Sequence, residues 1–501
     1  MDSEGLSVAE EKSVSPAPRS GPVIAVIAVL LVAYALATAV GVSEGTFSHG
    51  GAHGAEAVGR AISHYWAVIP FTLMLAAIAV LPLLRRTTHW WERNLNKFYV
   101  AVNLALLTLL YLTFLHPDGS LGRAQSTLIH TLVQEYVPFI ILLFSLYTIS
   151  GGVRIKGDLR AHALTNSAFL LAGGLLASFV GTTGAAMLLI RPLLETNHER
   201  RHVAHTVVFF IFVVCNCGGL LLPLGDPPLF LGYLQGVDFF WTLSLWRSWL
   251  LVNGLLIGVY FLWDHFYAYP REEKRDIRRD ESRVRGLRFA GLWPNVPLLI
   301  GVICSVALLD PAKPLPGTDW HPWFYLREAV QLALVMLSLL LGREDVRRSN
   351  SFNYLAIIEV AALFVGIFIC MQPALEILNA RGAELPLTTP RHYFWASGTL
   401  SSVLDNAPTY LVFYNVAKAY TAQALTGPVQ TMSGVEVGLL AGVSLGCVFM
   451  GSMTYIGNGP NFMVRTIAEH SGVRMPSFFG YMLYSLVILL PILLLNSWLM
   501  L

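Results

Sequence analysis

Apolar stretches of about bilayer length alternate with short polar stretches along most of the chain. A helix needs about 20 apolar residues to cross a bilayer, and 55% of the 501 residues are hydrophobic while only 13% are charged. The pattern predicts an all-α polytopic membrane protein. The clearest stretches of this kind are 22–40, 67–84, 98–115, 132–152, 246–265, 291–309, 326–342, 353–371 and 478–499.

One further apolar segment, 204–241, cannot form a continuous helix. It contains Pro223, Pro227 and Pro228, with Asp226 among them. Proline removes an amide donor and clashes with the preceding turn, so carbonyls are freed at membrane depth and must line a polar cavity. A broken helix that carries an acid is typical of the ion and substrate sites of secondary transporters. The sequence therefore predicts a binding site at this break.

A second break is predicted in the segment 434–470. Residues 451–461 are rich in glycine and include Asn458 and Asn461, whose side chains and freed carbonyls can face a polar site. A shift of 232 residues aligns the two breaks and places Asp226 over Asn458.

The segments 163–194 and 390–420 are expected to be re-entrant helical hairpins. Basic residues flank the first segment on both sides, so both of its ends are expected on one side of the membrane, with a turn near Gly181. A single long span with a glycine kink is the alternative. A shift of 224 residues places Gly181 over Asp405 in the second hairpin. The loop charges make the second hairpin enter from the opposite side, so the two halves are predicted to be inverted repeats.

Basic residues also orient the chain. The loops 85–97 and 154–160 carry Lys and Arg, and the connection 271–288 holds eight basic residues with five acids. The positive-inside rule places these loops in the cytoplasm. Acids interleaved with the basic residues favour a solvated linker over a nucleic-acid-binding run. The prediction is an inner-membrane protein with eleven crossings and two hairpins, its amino terminus in the cytoplasm and its carboxyl terminus outside.

These features divide the chain into consecutive regions. The predicted regions are a disordered tail (1–20), N-terminal spans (21–130), a first repeat (131–265), a basic cytoplasmic linker (266–290), connecting spans (291–352) and a second repeat (353–501).

Two motifs resemble those of a known superfamily. Residues 400–408 read LSSVLDNAP, which resembles the L-S-x-x-x-D-N-x-P hairpin of the ion transporter superfamily. That superfamily includes D-type sodium/proton antiporters, arsenite pumps and citrate or dicarboxylate carriers. Residues 216–226 read NCGGLLLPLGD, which is similar to the N-x-G-G…P-x-G-D stretch of the D-type antiporters. The resemblance covers about 130–499 and implies secondary transport. Where the antiporters usually carry a second Asp-Asn pair, this chain has Gly181-Thr182-Thr183, and it looks closest to the citrate-transporter branch.

The substrate of the candidate site is expected to be either a cation or a carboxylate. Acids at membrane depth favour cation/proton exchange, because a carboxylate in a low dielectric can trade a proton for Na⁺; this is the main hypothesis, with Asp226 and Asp405 as Na⁺ ligands. Hydroxyls, amides and half-helix amino termini would suit citrate or a metal-citrate complex, coupled to H⁺ or Na⁺, and this is the alternative. No cofactor beyond the coupling ion is expected. The candidate residues are Thr182, Thr183, Asn216, Asp226, Glu359, Ser402, Asp405, Asn406, Thr409, Asn458 and Asn461.

Other functions fit less well. An intramembrane aspartyl protease also uses two acids, but Asp226 follows Pro-Leu-Gly rather than Gly-x-Gly, and no Tyr-Asp partner is present. The five cysteines lie in apolar stretches and are expected to be free thiols. His49, His53 and His64 are expected to be solvated loop residues rather than a metal site. The expected partners are the bilayer, a small ion or carboxylate, and a second copy of the chain in a homodimer.

Asp405 and Asp226 are the basis of a mechanistic hypothesis. Asp405 is placed at a hairpin turn beside Asn406, and it is the acid expected to exchange a proton, so Asp405→Asn should abolish coupling. Asp226→Asn should weaken transport less. Asp405 and Asn406 could also act only as a helix cap, since both residue types are preferred there. Glu135 and Glu359 stand near span entrances, where a side chain can reach the interface instead of a site.

Overall fold

A computed structural model describes residues 20–39, 62–82, 84, 86–282, 284–350, 352–424 and 428–501. His49, His53 and nearly all of the predicted tail lie outside these residues. The described chain is mostly helical, with two small antiparallel pairs of strands. All five cysteines are free, as predicted, and His64 is exposed, with Nδ1 3.2 Å from the Tyr111 hydroxyl.

Among the described residues, five continuous helices are long and apolar enough to cross a membrane. A sixth candidate is a pair of helices bent by 44° after Cys370. The eleven predicted crossings are therefore not confirmed, because several apolar segments form helices of only 10–17 residues, shorter than a bilayer requires. The five are Asn94–Leu115, Leu121–Ser150, Ala163–Val180, Trp241–Arg271 and Phe478–Met500; the bent pair is Leu355–Cys370 with Gln372–Glu384; and the shorter apolar helices are Ser20–Leu36, Tyr65–Val80, Ala204–Leu220, Leu292–Leu308 and Val437–Met450.

The first predicted hairpin is a helical hairpin. Helices Ala163–Val180 and Thr182–Thr196 are joined at Gly181, whose φ of +81° suits glycine. At the open end, Asn166 and Asn197 exchange two amide hydrogen bonds of 2.8 Å each. The two ends of the segment are therefore side by side, which a single kinked span could not achieve.

The second hairpin consists of Pro390–Ser401 and Asn406–Ala424. Its open end is held by the start of the next helix, Val437–Met450: the Glu436 amide donates to Thr421 Oγ1 at 3.0 Å. That helix packs closely along Pro390–Ser401, because a Cβ at Gly442 would lie 2.3 Å from the Pro390 carbonyl oxygen. Small residues allow such close helix packing in membranes.

The described part of the basic linker forms regular secondary structure, and most of its residues are exposed. It forms the helix Lys274–Ser282 and the strand Arg285–Ala290, which pairs antiparallel with Arg154–Asp158 just before the first hairpin. Where these elements meet, carboxylate oxygens of Asp158, Glu199 and Asp280 lie within 4.8 Å of one another. Desolvation, followed by repulsion from neighbouring acids, raises the pKa of Asp158 and Asp280.

The remaining elements complete the described bundle. They are the helices Thr88–Trp91, Glu344–Ser349 and Leu326–Leu341, the half-helices Pro227–Leu234 and Gly459–His470, and the strands Thr431–Met432 and Val435–Glu436.

A buried ionic cluster joins the end of the first hairpin to the linker. Arg200 donates to both carboxylate oxygens of Asp264, at 2.5 and 3.0 Å, and His205 Nε2 lies 3.0 Å from Asp264. Glu272 accepts the backbone amides of Arg201 and His202, each at 2.9 Å. The cluster fixes the base of the first hairpin against the helix Trp241–Arg271.

Arg200→Gln is expected to lower the free energy of unfolding by about 3–5 kcal/mol, because it leaves the buried Asp264 without its guanidinium. Thermal unfolding of the purified protein in detergent measures this. Arg343→Gln is the control, since Arg343 pairs with Asp345 at the surface and its loss should leave the unfolding temperature unchanged. Equal unfolding temperatures for both variants would contradict the structural role given to Arg200.

Candidate functional site

The first break is built by glycines and prolines. Helix Ala204–Val213 ends, a short turn follows, and the half-helix Pro227–Leu234 begins after Asp226, which is extended at φ −141° and ψ 141°. The chain folds back so tightly that a Cβ at Gly225 would lie 2.0 Å from the Gly219 carbonyl oxygen. Only glycine fits there.

The second break repeats this local geometry. Asn458 is extended at φ −151° and ψ 140° and precedes the half-helix Gly459–His470. A Cβ at Gly457 would lie 2.5 Å from the Gly451 carbonyl oxygen. The aligned residues of the two breaks thus occupy equivalent local conformations. In both half-helices a proline stands in the first two positions, where it removes a backbone donor.

Asp226 is the centre of the site. Its side chain is buried, with 1% of the residue exposed, and it does not cap its own half-helix. Thr182 Oγ1 and Asn458 Nδ2 donate to Oδ1, at 3.2 and 3.0 Å. Asn406 Nδ2 donates to Oδ2 at 2.7 Å. The turns of both hairpins and the second break therefore meet at one carboxylate.

A chain of amides holds this centre in place. Asn458 Nδ2 also approaches the Cys215 carbonyl at 3.1 Å and Asn216 Oδ1 at 3.2 Å. Asn216 Nδ2 donates to Asn461 Oδ1 at 2.8 Å, and Asn461 Nδ2 donates to the carbonyls of Gly451 and Thr454. The side-chain amides thus satisfy carbonyls that the second break exposes.

Asp405 lies next to the centre but in a different role. Its Oδ1 accepts the Ala407 amide at 3.1 Å, and its carbonyl accepts Thr409 Oγ1 at 2.9 Å. The first of these bonds is typical of a helix cap. The neighbouring Asn406 Oδ1 is buried and has no hydrogen-bond partner among the described residues.

The comparison with known protein families covers this whole site. Residues 60–501 match the model of a family described as "Putative citrate transport". The chain belongs to this family. No curated protein matches the chain. The match includes both hairpins and both breaks, and it makes the protein a member of a membrane transporter family rather than an enzyme such as an intramembrane protease.

Most of the residues that the sequence predicts at the site come together in this member of the citrate-transport family. A few of them do not. Thr182, Asn216, Asp226, Asn406, Asn458 and Asn461 share the network described above. Ser402 joins its edge, because its carbonyl accepts Thr454 Oγ1 at 2.6 Å. Thr183 lies half-buried at the turn of the first hairpin. Glu359 does not join: its carboxylate is 2.6 Å from Lys97 Nζ and its side chain is 44% exposed.

Several residues that hold the first break in place were not among the residues expected at the site. Ser178 Oγ donates to the Gly218 carbonyl at 2.6 Å and accepts the Leu221 amide at 3.1 Å. Trp249 Nε1 donates to the same Gly218 carbonyl at 3.0 Å, and Asn253 Nδ2 donates to the Cys217 carbonyl at 3.2 Å. Trp249 and Asn253 are four residues apart in the apolar helix after the break, so their polar groups lie on one face of that helix. This spacing is the pattern that could have indicated these two residues.

Proposed function

We propose that the protein is a secondary active transporter of citrate or a closely related polycarboxylate, coupled to protons and working by alternating access. The supporting observation is that three neutral donors, from Thr182, Asn406 and Asn458, converge on one buried carboxylate. Hydroxyl and amide donors are the groups that bind a substrate carboxylate in the absence of a nearby basic side chain.

This arrangement supplies a simple coupling step. A carboxylate has about four acceptor positions, and three donors already occupy Asp226 in this conformation. A proton on Asp226 removes its charge and one acceptor position, so the donors become available to a carboxylate of the substrate. Binding of a proton and binding of citrate would then favour each other. Opening of the two hairpins to opposite sides would complete the cycle.

The distribution of cations supports an anionic substrate. Arg191 and Lys418 are half-buried, each on the second arm of a hairpin. Neither forms a salt bridge with an acid in the part of the chain that the structure describes. Arg191 stands nine residues after Thr182, and Lys418 stands 12 residues after Asn406, on the arms that begin at the hairpin turns. Cations at these positions would attract a polycarboxylate and repel Na⁺.

Exchange of Na⁺ for protons is the second candidate. The Asn406 Oδ1 atom is a buried acceptor without a partner among the described residues, and it belongs to the same side chain that donates to Asp226. Together with a carboxylate oxygen it could contribute to a small cation site. In either case the proposal retains inverted repeats, re-entry of the hairpins from opposite sides, the amino terminus in the cytoplasm of an inner-membrane protein, and a homodimer.

Purified protein in vesicles tests the substrate. With the membrane potential held at zero, an inward proton gradient should drive accumulation of radiolabelled citrate, and a protonophore should abolish it. Radiolabelled Na⁺ should not accumulate under the opposite gradient. Proton-driven Na⁺ flux without citrate flux would replace the citrate proposal by the antiport one. Vesicles that contain the Asp226→Asn variant serve as the control for leakage.

A further inference from the structure

Glu135 is a buried acid outside the site. It lies in Thr131–Tyr136, a wide helical turn within the long span Leu121–Ser150, with 8% of the residue exposed. Wide turns of this kind occur frequently at functional sites. The side chain of Glu135 is therefore enclosed by other parts of the protein in this conformation.

The immediate partners of Glu135 are neutral amides. Gln372 Nε2 lies 3.5 Å from its Oε2. The half-helix Pro227–Leu234, which Gln235 follows, packs against the turn Thr131–Tyr136 that carries Glu135. No Lys or Arg pairs with it among the described residues. The other deeply buried glutamate on a neighbouring element, Glu328, has such a partner, with Arg327 at 2.5 Å. A buried carboxylate without a cation is unfavourable unless it binds a proton or an ion.

Charged and titratable groups on the packed elements are engaged elsewhere. Glu376, one turn after Gln372, accepts from Arg123 at 2.6 Å and lies 3.2 Å from His116. Arg327 approaches the Tyr233 hydroxyl at 3.4 Å. The other such groups near this turn are His130, Tyr136, Tyr325, and the pair of Lys97 with Glu359.

The position of Glu135 connects it to the site. Gln235 directly follows the half-helix Pro227–Leu234, which begins after Asp226. Glu135 and Asp226 are therefore near opposite ends of a helix about 12 Å long. Gln372 stands at the 44° bend after Cys370. The Gln235 carbonyl also accepts the hydroxyls of Ser433 and Tyr414, which belong to the second hairpin and the strand turn behind it.

We propose that Glu135 is a second proton-binding carboxyl group of the transport cycle, separate from Asp226, which controls how firmly the far end of the half-helix is held. In this proposal, ionised Glu135 holds Gln372 of the bent helix and attracts the amide of Gln235 at the end of the half-helix that packs against its turn, and so connects the half-helix to the bent helix. A proton on one carboxyl oxygen removes the charge and weakens this tie, so the half-helix can move with the hairpin. The inference rests on the proposed proton-coupled transport.

Infrared spectroscopy of the purified protein in lipid discs, titrated from alkaline to acid pH, tests proton binding without any transport. The band of protonated carboxyl groups should lose one component in Glu135→Gln. Glu469→Gln, whose glutamate pairs with Arg465 at 2.9 Å near the end of the second half-helix, should leave that component in place. Identical titrations of Glu135→Gln and the wild type would overturn the proposal.

Citrate uptake into vesicles at varied external pH tests the role in the cycle. Glu135→Gln keeps the shape of the side chain, so a merely structural role predicts an unchanged pH profile, which would also overturn the proposal. A proton-binding role predicts uptake that varies at least tenfold less with pH than in the wild type. If the infrared component is lost but wild-type protein moves no citrate, the proposed function fails while proton binding by Glu135 stands.

Discussion

Asp226→Asn is expected to abolish proton-coupled transport, with a loss of about 100-fold or more. Asparagine has nearly the same shape, but it cannot gain and lose a proton, and its NH₂ group would face at least one of the three donors that now converge on Asp226. Hydrogen bonds to a charged group contribute about 1.5–3 kcal/mol, and about 2.8 kcal/mol corresponds to 100-fold. Initial uptake under a proton gradient, at matched protein levels, measures the effect.

Asp405→Asn is the matched comparison. Asparagine is as good a helix cap as aspartate, and among the residues that the structure describes, the carboxylate of Asp405 has only the Ala407 amide as a hydrogen-bond donor. We therefore expect a smaller loss than for Asp226→Asn, which is the reverse of the order expected from the sequence. Wild-type coupling in Asp226→Asn, with coupling lost in Asp405→Asn, would restore the original order and make Asp405 the proton-exchanging acid.

Gly225→Ala is expected to prevent assembly of the site and to eliminate transport. The new Cβ would lie 2.0 Å from the Gly219 carbonyl oxygen, and both groups belong to the backbone of the break, so no side-chain rotation can relieve the overlap. Overpacking in a core costs about 1–3 kcal/mol or more. The measurements are the yield of monodisperse protein in detergent, its unfolding temperature and citrate uptake.

Gly254→Ala provides the control, because nothing lies within 4 Å of a Cβ at that membrane-helix position. Its yield, unfolding temperature and uptake should equal those of the wild type. Gly457→Ala, in the second break, should behave like Gly225→Ala, since its Cβ would lie 2.5 Å from the Gly451 carbonyl oxygen. A stable, active Gly225→Ala protein would mean that the break is not packed as described.

The sequence predicted both breaks and the first hairpin turn because proline and glycine act locally, whereas the second hairpin turn was inferred from the 224-residue shift and from the motif of residues 400–408. Pro223 and Gly181 restrict or permit backbone conformations whatever the rest of the fold does. The number of crossings could not be derived in the same way, since hydropathy gives the length of an apolar stretch but not where its helix stops. The strand pairing of Arg154 with Ala290 joins residues far apart in the chain, and no local pattern reports it.

The ranking of the acids also needed tertiary contacts. The sequence groups Glu359 with the site, yet its carboxylate pairs with Lys97 at a half-exposed position. Asp226 and Asp405 each follow a break or turn and precede a half-helix or helix, so their sequence contexts look alike. Only the contacts show that three donors reach Asp226, while Asp405 accepts a backbone amide beside it.

The prolines at the start of both half-helices have an evolutionary consequence. Because Pro227, Pro228 and Pro460 offer no N–H groups, the donors at the centre of the site come from the side chains of Thr182, Asn406 and Asn458 instead of the main chain. Main-chain donors are the same for every amino acid, whereas side-chain donors are exchanged by single codon changes. If the proposed function holds, substitution at Thr182, Asn406 and Asn458 is the expected route to a change of substrate, while the backbone of the glycine-built breaks is retained.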